Sequence, residues 1–75
     1  MTTFNGARMR QTRRKLGLTC DDLAAAIGVN KATISGWELG KYEPSITSLR
    51  AIAYALNLSA DSLLNKEEYP LKTRG

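Results

Sequence analysis

Histidine is absent from the chain, and cysteine occurs once, at Cys20. No disulfide can form within the chain. A zinc site built from Cys and His needs four ligands, and this sequence offers one. Without an imidazole there is neither a Ser-His-Asp nor a Cys-His nucleophile, and no histidine base. No apolar run approaches the ~20 residues that cross a bilayer. The arginines near the N-terminus are not followed by an apolar stretch, so no secretory signal is expected. An unpaired cysteine fits a reducing compartment, and a cytoplasmic location is expected. No acidic residue precedes Asp21. Together these absences point away from an enzyme, a cofactor, a small-molecule ligand or a membrane, and toward a binding module.

What is present is an ordinary globular composition. Of 75 residues, 43% are hydrophobic, and 11 Lys plus Arg stand against 7 Asp plus Glu, a net charge of +4. The length allows one domain. A domain this small buries only roughly 60% of its unfolded surface, so its apolar core must pack efficiently.

Local signals divide the chain into helices. Asn5 caps helix 1, about Gly6 to Leu16, with Phe4 and Met9 at hydrophobic-staple spacing and Gly17 as the stop. Arg8, Arg10, Arg13, Arg14 and Lys15 crowd its polar face. Thr19 caps helix 2, with Asp22 three residues on as a short capping box, and Gly28 closes it. Asn30 caps helix 3, Lys31 to Leu39, which turns Ile34 and Trp37 inward and ends at Gly40. Ser45 caps helix 4, whose Leu49, Ile52, Ala53 and Leu56 follow i, i+3, i+4, i+7, and Asn57 takes the left-handed stop. Ser59 caps a short fifth helix carrying Leu63 and Leu64. Residues 66–75 lack periodicity and read as a tail or linker, which permits a cut from a longer chain, so the domain is expected over 4–65. No strand alternation is visible. The expected core comprises Met9, Leu16, Leu18, Leu23, Ala24, Ile27, Val29, Ile34, Trp37, Leu49, Ile52, Ala53, Leu56, Leu58, Leu63 and Leu64.

The informative stretch is Leu18 to Gly40. Two short helices meet at Gly28-Val29-Asn30, the glycine-containing turn of a helix-turn-helix. In such a unit the first helix props the second outward, where it can enter a major groove. The sequence resembles the Cro and phage-repressor (XRE) helix-turn-helix family. The likeness is carried in order by Arg13, Gly17-Leu18-Thr19, Asp22-Leu23-Ala24, Gly28-Val29, Thr33-Ile34-Ser35, Trp37-Glu38, Gly40-Lys41, Pro44-Ser45, Leu49, Ile52-Ala53, Ala55-Leu56 and Asp61-Leu63-Leu64. The resemblance implies an all-α, five-helix, lambda-repressor-like domain. It also implies a homodimer that binds a double-stranded DNA operator as a transcriptional regulator, a repressor in the first instance.

Family roles are carried over position by position. Helix 3 matches the recognition helix, and Arg13 with Glu38 matches the pair that clamps helix 1 to the end of helix 3. The start of helix 2 meets a phosphate in the family, often through glutamine. Here Cys20 stands in that place, and a thiol is a weak donor. The backbone amides of Thr19 and Cys20 remain to hold a phosphate at the helix N-terminus.

At 3.6 residues per turn, Ala32, Ser35, Gly36 and Leu39 lie opposite the inward face of helix 3, with Lys31 flanking. That outward face has almost no long polar side chain. Ala32 and Gly36 serve either close approach to DNA, with Ala32 against a thymine methyl, or are simply small exposed residues. Lys31 is placed to reach a guanine. Thr33 meets either a phosphate or its own helix. Lys41, just past helix 3, is a phosphate candidate. Arg10 and Lys15 are further phosphate candidates, while Arg8 and Arg14 read as a solvated face. Leu58, Tyr69, Pro70 and Leu71 are candidates for the dimer contact. The rival readings are a protein-interaction adaptor on the same fold, favoured by the bland helix 3, and the DNA-binding part of a longer regulator.

Overall fold

Side-chain caps set where each helix begins. In a computed structural model, which describes residues 3–65, four α-helices follow one another: α1 (Gly6–Lys15), α2 (Cys20–Ile27), α3 (Lys31–Glu38) and α4 (Ile46–Ala55). A 3-10 turn, Ala60–Leu63, comes last. Asn5, Thr19, Asn30, Ser45 and Ser59 each accept a hydrogen bond from the backbone N–H three residues on, satisfying an amide that the helix leaves without a partner. Gly28 (φ 79) closes α2 and Gly40 (φ 76) follows α3, both in the left-handed region that strains a residue bearing a β-carbon. Asn57 (φ 57) does the same after α4.

The fold is all-α, but the expected fifth helix is a four-residue 3-10 turn. It has no room to lengthen, because Leu64 is already extended and forms an antiparallel bridge with Phe4. The amide of Asn5 donates to the Leu63 carbonyl at 2.7 Å, and that of Asn65 to the Thr3 carbonyl at 2.7 Å. These bonds tie the segment before α1 to the segment after the 3-10 turn. The bridge is the one element of strand pairing among the described residues, and no sequence alternation announces it.

Phe4, Met9, Leu23, Ala24, Ile34, Trp37, Leu49, Ile52, Ala53, Leu56 and Leu63 form one buried cluster. Leu18, Ile27, Val29, Leu58 and Leu64 are partly buried against it. Two residues depart from the expected core. Phe4 is buried, because the bridge to Leu64 folds it over the cluster. Leu16 is 50% exposed: it caps the end of α1, and after the left-handed Gly17 it is Leu18 that turns inward. α2 packs on α3 and α4, while α1 packs on α3 and on the 3-10 turn. That framework holds α3 by its inner side. Of the dimer candidates, Leu58 rests against the core, while Tyr69, Pro70 and Leu71, like the tail 66–75, lie outside the described residues.

Candidate nucleic-acid interface

α3 is anchored by its inward residues, with Ile34 0% and Trp37 5% exposed. A second anchor is the ion pair at its end. Arg13 Nε donates to Glu38 Oε2 at 2.7 Å and Nη2 to Oε1 at 3.1 Å, a two-pronged contact with both side chains under a tenth exposed. Arg13 Nη1 also donates to the Leu18 carbonyl at 2.8 Å. The hydrogen bonds to Glu38 raise the Arg13 pKa above its ordinary value, and burial opposes them. α1, the α1–α2 turn and α3 are thereby locked together, which fixes how far α3 projects.

On the open side of α3, Lys31 and Ala32 are exposed and Ser35 is half-buried. Lys31 Nζ lies 4.0 Å from Asp21 Oδ2, with both side chains well solvated. This is a loose contact that a stronger anion can displace. The Thr33 hydroxyl donates to Asn30 Oδ1 at 3.1 Å, so in this structure it bonds within its own helix cap.

Gly36 is a correction. It was expected on an open face and is buried. The cause is Tyr42, whose ring end occupies the place a β-carbon at Gly36 would take. Its hydroxyl donates to the Ala32 carbonyl at 3.5 Å, a long bond. Close approach of DNA to the Gly36 backbone therefore meets Tyr42 first. The signal that could have found Tyr42 is the glycine itself, a poor residue for a helix interior unless something must sit against it.

At the start of α2 the expected capping box forms, and it changes the expected phosphate site. The Thr19 amide is taken by Asp22 Oδ2 at 2.8 Å, and the Thr19 hydroxyl accepts from the Asp22 amide at 3.0 Å, a reciprocal capping box. Of the two amides expected to hold a phosphate, Cys20's alone is left for one, and Asp21 and Asp22 add negative charge beside it. Hydrogen bonding from the Thr19 amide, and secondarily from its side chain, holds the Asp22 carboxyl below its ordinary pKa.

Beyond α3, Lys41 is exposed, and its amide closes the helix end on the Gly36 carbonyl at 2.9 Å. On α1, Arg10 and Arg14 line a shallow depression together with Glu38, at the end of α3, while Arg8 and Lys15 line another.

The fold and this arrangement define a small all-α helix-turn-helix domain that presents the open side of its second motif helix, α3. The sequence model of the helix-turn-helix family matches residues 9–63, and the chain belongs to that family. Among curated relatives, the transcriptional activator BcrR of Enterococcus faecalis is 36% identical over 81% of this chain, which spans 30% of that protein's length. An uncharacterised regulator of the same type from Archaeoglobus fulgidus is 39% identical over 75% of this chain and 80% of its own. Among solved structures, the P22 c2 repressor in complex with a synthetic operator superposes with a TM-score of 0.79 at 38% identity, covering 85% of this chain and 97% of that one. SinR bound to DNA gives 0.72 at 32% identity, covering 77% and 94%.

Proposed function

We propose that this chain is a sequence-specific, double-stranded-DNA-binding transcription regulator that acts as a homodimer with α3 in the major groove. The observation that carries the reading is the free side of α3 on a scaffold that overlays an operator-bound repressor at 38% identity. Lys31 supplies a donor for guanine, Ala32 and Ser35 face the groove, and Lys41 and the Cys20 amide meet the backbone. One short helix makes few contacts, so two copies on a pseudo-palindrome, half-sites about one helical turn apart, supply useful affinity. Repression is the favoured output, by likeness to the P22 protein, although BcrR is named an activator.

Selection of bound duplexes from random DNA, followed by titration at several salt concentrations, tests this. The expected result is a symmetric consensus occupied by two copies. If each covers ~3 phosphates, log K falls with log salt at a slope of about −5. A flat salt dependence, or one copy per asymmetric site, overturns it. A protein-interaction adaptor is the second reading, favoured by the 63% exposed Leu39 on the same side of α3. It requires that duplex binding be absent or insensitive to salt.

A further inference from the structure

We infer that Tyr42, which belongs to no helix, is a specificity-determining residue of the α3 surface and occupies the volume that a side chain at position 36 would otherwise fill. This rests on the DNA-binding reading above and names a residue within it.

The argument begins at the end of α3. Gly40, in the left-handed conformation, turns the chain so that the Lys41 amide bonds the Gly36 carbonyl at 2.9 Å and the Gly40 amide bonds the Trp37 carbonyl at 3.2 Å. The next residue is thereby brought back alongside the helix. The Tyr42 ring lies on Gly36, and its hydroxyl reaches the Ala32 carbonyl one turn earlier. The loop is held a second time one residue on, where Glu43 Oε2 accepts from the Thr3 amide at 3.0 Å. Tyr42 is nevertheless 50% exposed. Its open edge therefore shares the side of α3 that carries Ala32, a side otherwise short of polar reach. A phenol offers an apolar edge for a thymine methyl and, with its proton turned to the Ala32 carbonyl, a hydroxyl oxygen that can accept from a base edge. Gly36 is the condition for this arrangement, since any larger residue there evicts the ring.

Duplex selections are run on the full chain and on Y42A, Y42F and G36A, with circular dichroism melts to identify the folded variants. G36A leaves the tyrosine in the chain but displaces it, so it tests the placement even if Y42A fails to fold. Y42A and G36A are expected to change the preferred base at the same one or two positions of each half-site. Discrimination against a duplex altered there should fall about fivefold to tenfold. Retention of the preference by Y42F assigns it to the ring edge, and its loss assigns it to the hydroxyl. Folded variants that select the wild-type consensus, or that lose affinity by one factor on both duplexes, overturn the assignment of Tyr42 alone. A wild-type chain that selects no consensus overturns the DNA-binding reading and this inference with it.

Discussion

Arg13 and Glu38 meet edge to edge across the α1–α3 contact, at 2.7 and 3.1 Å, and almost entirely out of water. Removing one partner leaves a buried charge with nothing to balance it, at a cost of roughly 3–5 kcal/mol. That is a large share of what a small domain has. Arg13→Met and Glu38→Leu are each expected to be strongly destabilising in urea unfolding, and the double variant far less so than their sum. Additivity within ~0.3 kcal/mol would show that the two act independently.

Two helical glycines should respond oppositely to alanine. At Gly6 a β-carbon would sit 2.5 Å from the Trp37 carbonyl oxygen and 2.7 Å from that of Glu38. Both are backbone atoms, so α1 and α3 must separate, and Gly6→Ala should cost about 1–3 kcal/mol, as overpacking does. At Gly36 the obstacle is the tip of one flexible side chain. Helix propensity favours alanine there by up to ~1 kcal/mol, so Gly36→Ala should melt at or above the wild-type temperature. Thermal melts of the two variants side by side check this.

The lysines at either end of α3 should divide their roles. Lys31→Ala should relax preference at one or two base pairs, with discrimination falling by ~1–3 kcal/mol. Lys41→Ala should weaken all duplexes about equally and reduce the salt slope by ~1. Binding of each variant to a consensus and a scrambled duplex separates them. An equal loss on both duplexes for Lys31→Ala would make it a phosphate contact and move specificity to neighbouring residues or to DNA shape.

Acid should loosen the start of α2. The folded-state pKa of Asp22 is lowered by its bonds from Thr19, so its contribution is complete above the unfolded value, near pH 4. It is lost as pH falls through the folded value. Asp22→Ala should therefore melt below wild type at neutral pH, and the gap should close as the pH drops below about 4. A gap that persists unchanged to low pH would show that the ionised carboxylate is not what stabilises the cap.

The elements of this fold were legible in the sequence because their determinants are local. A side-chain oxygen at Asn5, Thr19, Asn30 or Ser45 reaches an amide three residues away, and a left-handed stop needs only its own residue. The apolar spacing of α4 likewise announces its buried face. The Arg13–Glu38 contact spans 25 positions and was read from the family likeness rather than from spacing. What stayed hidden depends on which distant segments meet. Phe4 enters the core because Leu64 pairs with it, and the same pairing stops the last helix after a 3-10 turn. The capping box of Thr19 and Asp22 is local and legible in their spacing, but its consequence, one amide withdrawn from the anion site, shows only with the bonds in place. Gly36 carries no mark of Tyr42 in a helical projection, because the ring reaches it from a loop. Periodicity assigned the faces of α3, but tertiary packing decided which atoms on the outward face remain open, since side chains from other segments compete with solvent for that surface.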